Sequence, residues 1–301
     1  MPCPYGKNHM VFFSPFKKKQ RKMTPWYALL GLVVVTAAFG LKIYDGLKPD
    51  RTPTSDVPAV SYEDIVQGVE EVDEVEEVVE PVPTPTPAPV PTPTPEPVPE
   101  PAPVVPAPPK APPAELNLAV PFTSQAPTGN WDALHEDACE EASFFMATEF
   151  YKGRAAGKVD PVIADPELYK QVDRQTALGM GYSISTAEAV AFIKDYYQLN
   201  TVVVENPTVE QIKELIRAGK PVIVPAAGRE LGNPNFTGAG PLYHMLVIRG
   251  YTATTFITND PGTRNGENYV YTIDVLMNAI GDWNNGDPTN GAKRVFYIEP
   301  K

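Results

Sequence analysis

The stretch "DACEEASFFMATEFYKG", residues 137–153, decides how the rest of the chain is read. It predicts a helix from about Ala138 to Lys152. Asp137 is placed to cap it, Glu140 completes an Asp-x-x-Glu box, and Gly153 ends it. Cys139, Ala142, Ser143, Met146 and Phe150 recur at helical spacing and form the seam that faces the protein body. Cys139 is the only cysteine after Cys3. On this reading it holds the second helical position, where outward N–H groups and the helix dipole lower a thiol pKa. Glu136, Asp137, Glu140 and Glu141 work against that. Taken alone, the thiol reads as a small buried core residue.

Toward the C-terminus the elements alternate. "STAEAVAFIKDYY" predicts a helix with a Ser185/Glu188 capping box, and "TVEQIKELIRAG" another from Thr208, closed by Gly219. Strands are predicted at "TVVVE" (201–205), "PVIVPA" (221–226), "YHMLVIRGY" (243–251), "TTFITND" (254–260), "NYVYTI" (268–273) and "KRVFYIE" (293–299), with a short helix over 275–280. The order, helices first and a mostly antiparallel sheet second, is that of an α+β fold. A glycine-rich loop, 228–240, precedes the strand that carries His244 and is placed to shape substrate access. "GDWNNGD" at 281–287 hints at a calcium loop but breaks the ligand pattern at its fifth place, so it reads as a turn.

Toward the N-terminus the composition changes abruptly. Residues 1–22 end in a basic cluster, "FKKKQRK". Residues 23–44 are apolar except for Lys42, and at 1.5 Å per residue they span roughly 33 Å. That matches a hydrocarbon core of about 30 Å, with Trp26 and Tyr27 placed as interfacial aromatics. An uncleaved anchor and a cleaved signal peptide both fit. The length of the apolar run and the weak "TAA" cleavage site favour the anchor. Either way the basic cluster stays inside and the C-terminal bulk faces outside. Residues 45–80 are acidic and predicted to be disordered. Residues 81–113, with proline at nearly every second position, predict a polyproline II stalk of roughly 100 Å. Residues 114–301 are long enough for one domain. The formal net charge of -12 and the lack of basic clusters in this domain argue against a nucleic-acid partner.

A disulfide between Cys3 and Cys139 is excluded by this topology, because the anchor separates them. A single thiol in an exported domain suggests a free reactive thiol or a bond between chains; as a nucleophile it needs a base and a group that orients the base. Three histidines are present: His9 before the anchor, His135 in the turn entering the helix, and His244 at a strand start. His135 is predicted to lie on the surface. His244 shares a strand face with Leu246 and Ile248. If the next strand pairs with it as a hairpin, the "NDPG" at 259–262 brings Asp260 beside His244.

The domain resembles the C39-like group of papain-fold cysteine peptidases. The residues that carry the resemblance are "VPFTSQAPTGNW", "DACEEAS", "GKPVIVPA", "GPLYHMLVIRGY" and "TNDPGT", spread over 116–301. The resemblance implies a papain-like fold, with N-terminal helices packed on a mostly antiparallel sheet. It also implies peptide or protein substrates and a site of Cys139, His244 and Asp260, with Gln125 as a second oxyanion donor. It implies no metal and no organic cofactor. The chain departs from the family in the long spacing from Gln125 to Cys139, in the "CEE" after the nucleophile, and in Asn259 beside Asp260 as an alternative third member. Two rivals stand beside the peptidase: a cell-wall amidase or acyltransferase using the same residues, and a binding module with a degraded site.

Overall fold

The computed structural model describes residues 53–73 and 111–300. The expected basic N-terminus, the anchor at 23–44 and nearly all of the Pro-rich stretch lie outside the described residues. Among the described residues no helix is long and apolar enough to cross a membrane.

The fold is α+β, with a mostly antiparallel sheet and six helices among the described residues. The helices are α1 (Tyr62–Asp73), α2 (Cys139–Tyr151), α3 (Pro161–Ala177), α4 (Thr186–Tyr196), α5 (Val209–Arg217) and α6 (Ile273–Ala279). The main sheet holds β1 (Ala59–Val60), β2 (Leu116–Leu118), β5 (Asn200–Glu205), β6 (Val222–Ala227), β7 (Tyr243–Tyr251), β8 (Thr255–Asn259), β9 (Tyr269–Thr272) and β10 (Arg294–Glu299). A small second sheet pairs β3 (Pro121–Phe122) with β4 (Gly157–Lys158). The long strand β7 is the spine: β6 and β2 share one of its edges, and β8 followed by β9 lies on the other.

Helix α2 is buried along its whole length from Cys139 to Phe150, with β6 and β7 on one side and α3 on another. The predicted seam is therefore one stripe of an all-round buried helix, which is why Phe144 and Phe145 are as apolar as the seam itself. Phe144 stands between Phe192 of α4 and Phe296 of β10, with ring centroids 5.8 and 6.3 Å away. The start of α2 corrects the predicted cap. Its N-cap residue is Ala138, no side chain caps it, and Cys139 is the first helical residue. The predicted stop is present, with Gly153 in the left-handed region at φ 73°.

The acidic segment predicted to be disordered contributes β1 and α1. Strand β1 runs parallel to β2, with Ala59 opposite Asn117 and Val60 opposite Leu118. Ser61 and Asp64 cap α1 through each other's backbone N–H groups. Tyr62 packs edge-on against Phe150 and Tyr151, at 5.6 and 5.2 Å. High charge misled the reading, because two apolar side chains, Tyr62 and Ile65, suffice to dock this amphipathic turn on a surface built elsewhere in the chain. A second difference is α3. Asp160 caps it through Val162 N–H and Pro161 fills the first turn, but Pro166 inside the helix masks the pattern.

Candidate functional site

The register of β7 and β8 sets Val247 opposite Asn259, so the chain after β8 continues alongside His244. His244 Nε2 lies 2.7 Å from Asp260 Oδ1. Asp260 also accepts from the Gly262 N–H at 3.0 Å, from the Tyr271 hydroxyl at 2.5 Å and from Asn233 Nδ2 at 3.0 Å. Burial works to raise the Asp260 carboxyl, but the imidazole and these donors outweigh it and hold the group below its ordinary value. Gly262 is required here: a Cβ would come within 2.9 Å of His244 Cε1 and 2.8 Å of Phe236.

Asn259, the alternative third member, points elsewhere, as strand alternation demands. It donates to the carbonyls of Val120 and Pro121 and accepts from Arg249. Arg249 sits in the β7 bulge, fully buried, and also holds the carbonyls of Leu118 and Val120. This polar knot fixes the strand leading into Gln125.

Cys139 opens α2 and lines, with His244, a cleft of about 660 Å³. Its thiol donates to Glu140 Oε2 at 2.9 Å. Glu140 Oε1 in turn accepts from Ile184 N–H at 3.3 Å. Burial, together with the charge and hydrogen bond of Glu140, pushes the Cys139 thiol well up, while the Met245 N–H, next to His244, opposes this. Burial also pushes Glu140 up, to about 7, against the Cys139 thiol, its own and the Ile184 N–H groups, and His244. The helix N-terminus therefore does not dominate the thiol; burial does, seconded by the adjacent acids foreseen as opposing a thiolate.

Gln125 lines the same cleft, but both donors of its amide are engaged: Nε2 reaches His135 O at 2.8 Å and Glu136 O at 2.9 Å. Its Oε1 is buried without a partner. In this arrangement the side chain ties down the inserted turn and offers nothing to an oxyanion. His135, predicted on the surface, is 1% exposed. Its Nδ1 meets Asp132 at 2.8 Å, its Nε2 lies 3.1 Å from Asp165, and its ring packs edge-to-face with Tyr169. It pins the inserted turn to α3 and does not line the cleft.

The cleft walls come from segments far apart in sequence. Trp131 belongs to the inserted turn, Phe236 to the glycine-rich loop, and Trp283 to the 281–287 turn, where Asp287 caps a short helical turn. Tyr271 and Asn233, which hold Asp260, left no signal in the sequence, because only tertiary pairing joins them. Among the described residues no group of three or more His, Cys, Asp or Glu side chains is placed to hold a metal ion.

The sequence matches the Peptidase_C39 like family over residues 117–288, more than half of the chain. Among solved structures, a candidate C39-like peptidase from Bacillus anthracis aligns at a TM-score of 0.42 and 16% identity, over 62% of this chain and 98% of its own. None of the curated proteins matches the chain.

Proposed function

The chain belongs to the Peptidase_C39 like family, and from that premise we propose that it is a membrane-anchored, outward-facing cysteine peptidase working by a Cys139–His244–Asp260 mechanism. His244, with Nε2 tied to Asp260, takes the Cys139 proton on Nδ1. The thiolate attacks the scissile carbonyl, and His244 returns the proton to the leaving amine. Water then hydrolyses the thioester, with His244 again as base. Asp260 fixes the ring orientation and supports the imidazolium. The Cys139 backbone N–H, unpaired within the helix by its position, is the first oxyanion donor. Gln125 becomes the second when substrate displaces one of its two carbonyl partners.

The observation that carries this reading is the buried His244–Asp260 pair in the wall of the cleft that also holds Cys139. The outward location rests on the basic cluster and apolar run before residue 45. The test is labelling of intact cells with a membrane-impermeant, thiol-reactive acyl probe. Labelling of the full chain, abolished by Cys139→Ala and strongly reduced by His244→Ala, is the expected result. Labelling only after lysis defeats the outward location, and labelling indifferent to His244→Ala defeats the mechanism.

A further inference from the structure

The Cys139 thiol is hydrogen-bonded to a buried carboxyl, Glu140, which is itself only 1% exposed. Ionised, that carboxyl opposes the step proposed above. It accepts the thiol proton that has to move to His244, and its charge disfavours an anion on sulfur. Protonated, the same group reverses its role, because a carboxylic acid has an O–H to donate. The separation of 2.9 Å serves either direction of the hydrogen bond.

We propose that Glu140 is a catalytic residue that acts in its neutral form, donating its O–H to the Cys139 thiolate and stabilising the thiolate–imidazolium pair. As a carboxylate it holds Cys139 as an unreactive thiol. This rests on the reading of Cys139 as nucleophile. The proton balance is simple. Glu140 takes a proton from solvent beforehand and keeps it, while the thiol proton passes to His244 Nδ1. No bond to Glu140 forms or breaks in the reaction.

Burial of Glu140 favours its neutral form, against the Cys139 thiol, two backbone N–H groups and His244, which favour the carboxylate. The titratable groups facing it are Cys139 and Glu141 on its own helix and Tyr243 and His244 on β7, with Asp137 of the turn before α2 and Arg264 in the lining of the same cleft. Two of these are acids, and Glu141 is itself pushed well up by burial and by Glu140. The backbone partner of Glu140, Ile184 N–H, tethers its far oxygen Oε1 and leaves Oε2 on the sulfur. A merely structural role would need only the tether.

The test is the rate of Cys139 alkylation by iodoacetamide against pH, in the full chain carrying Cys3→Ser, so that Cys139 is the only thiol. In this parent the rate is expected to peak on the acid side and to fall by about tenfold between roughly pH 6 and 8, as Glu140 ionises. In Glu140→Gln, whose amide donates at every pH and carries no charge, the fall should vanish, leaving the variant about tenfold faster at pH 8. A parent rate that only rises over that range overturns the proposal, as does a Gln profile superimposable on the parent. The parent curve decides alone should the variant fail to fold. In His244→Ala the acid-side reactivity should drop by at least ~10-fold. If it does not, the nucleophile reading fails as well, whereas a response to His244→Ala with no response to Glu140→Gln removes only the role of Glu140.

Discussion

His244 Nε2 and Asp260 Oδ1 stand 2.7 Å apart, and both side chains are buried. Asn259, one residue away, faces the opposite side of the strand and binds Arg249 and two carbonyls. The two neighbours are thus expected to fail differently. Asp260→Asn should fold and lose about 10²–10⁴ in turnover, the scale known for a tautomer-fixing aspartate in another fold. Asn259→Ala strands buried donors and acceptors, each worth about 1–3 kcal/mol. It should lower the melting temperature and leave the folded fraction nearly as active. Turnover and melting measured on both variants check this, and the reverse pattern would make Asn259 the third member.

Tyr271 makes a separate prediction about acid stability. Its hydroxyl donates to Asp260 Oδ2, and Asp260 is held below its ordinary value of 3.8. A depressed carboxylate stabilises the fold above its unfolded pKa, and that stability is lost as pH falls through the folded pKa. Tyr271→Phe removes one donor and lets the folded pKa rise. Acid unfolding of the variant should therefore begin at a higher pH than in the parent. Circular dichroism against pH checks it, and coincident acid transitions would show that His244 and Gly262 hold Asp260 down without Tyr271.

Gln125 joins two roles. Its amide holds the carbonyls of His135 and Glu136, and it lines the cleft. Gln125→Ala should lose stability, at about 1 kcal/mol per hydrogen bond, as well as turnover, by about 10²–10³ if the amide swings to the oxyanion. A melting curve and a turnover number on one preparation separate the two. An enzyme that melts lower yet turns over at parent speed would restrict Gln125 to holding the inserted turn.

What the sequence made legible follows from how local each signal is. The Ser185/Glu188 box, the helix from Thr208, the body of α2 and strands β5 to β10 rest on patterns within a few residues, and they stand where expected. The approach of Asp260 to His244 was legible because a short hairpin converts sequence distance into register. His135 was misplaced because its burial depends on α3, which Pro166 concealed. Glu140 was visible as an acid beside the thiol, but its hydrogen bond depends on the helix starting at Cys139 without a side-chain cap. Residues 53–73 were misread because their partners, Asn117, Phe150 and Tyr269, are remote in the chain.

That last misreading changes what the Pro-rich stretch can do. Residues 53–73 are held on the domain by β1 against β2, by Pro53 O accepting from Val270 N–H, by Ser55 N–H donating to Asn268 O, and by Tyr62 on Phe150. At the far end Pro113 O accepts from the Tyr251 hydroxyl, and Leu116 begins β2. The described segments on either side of the Pro-rich stretch, 53–73 and the chain from residue 113 into β2, are thus both held on the domain. A single cut within 81–113 is therefore expected to nick the chain without releasing the domain, and both fragments should elute together from a native sizing column and separate in denaturant. A fragment starting at residue 114 loses the β1 pairing and the cover of Tyr62 and Ile65, worth about 3 kcal/mol at ~1.5 kcal/mol for each partly buried side chain. For a domain of this size that lowers the melting temperature by roughly 6–12 °C relative to a fragment starting at residue 52. Adding a peptide of residues 52–73 back should recover part of the difference. Equal melting of the two fragments, or release of the domain by one cut, would return the Pro-rich stretch to the role of a plain stalk.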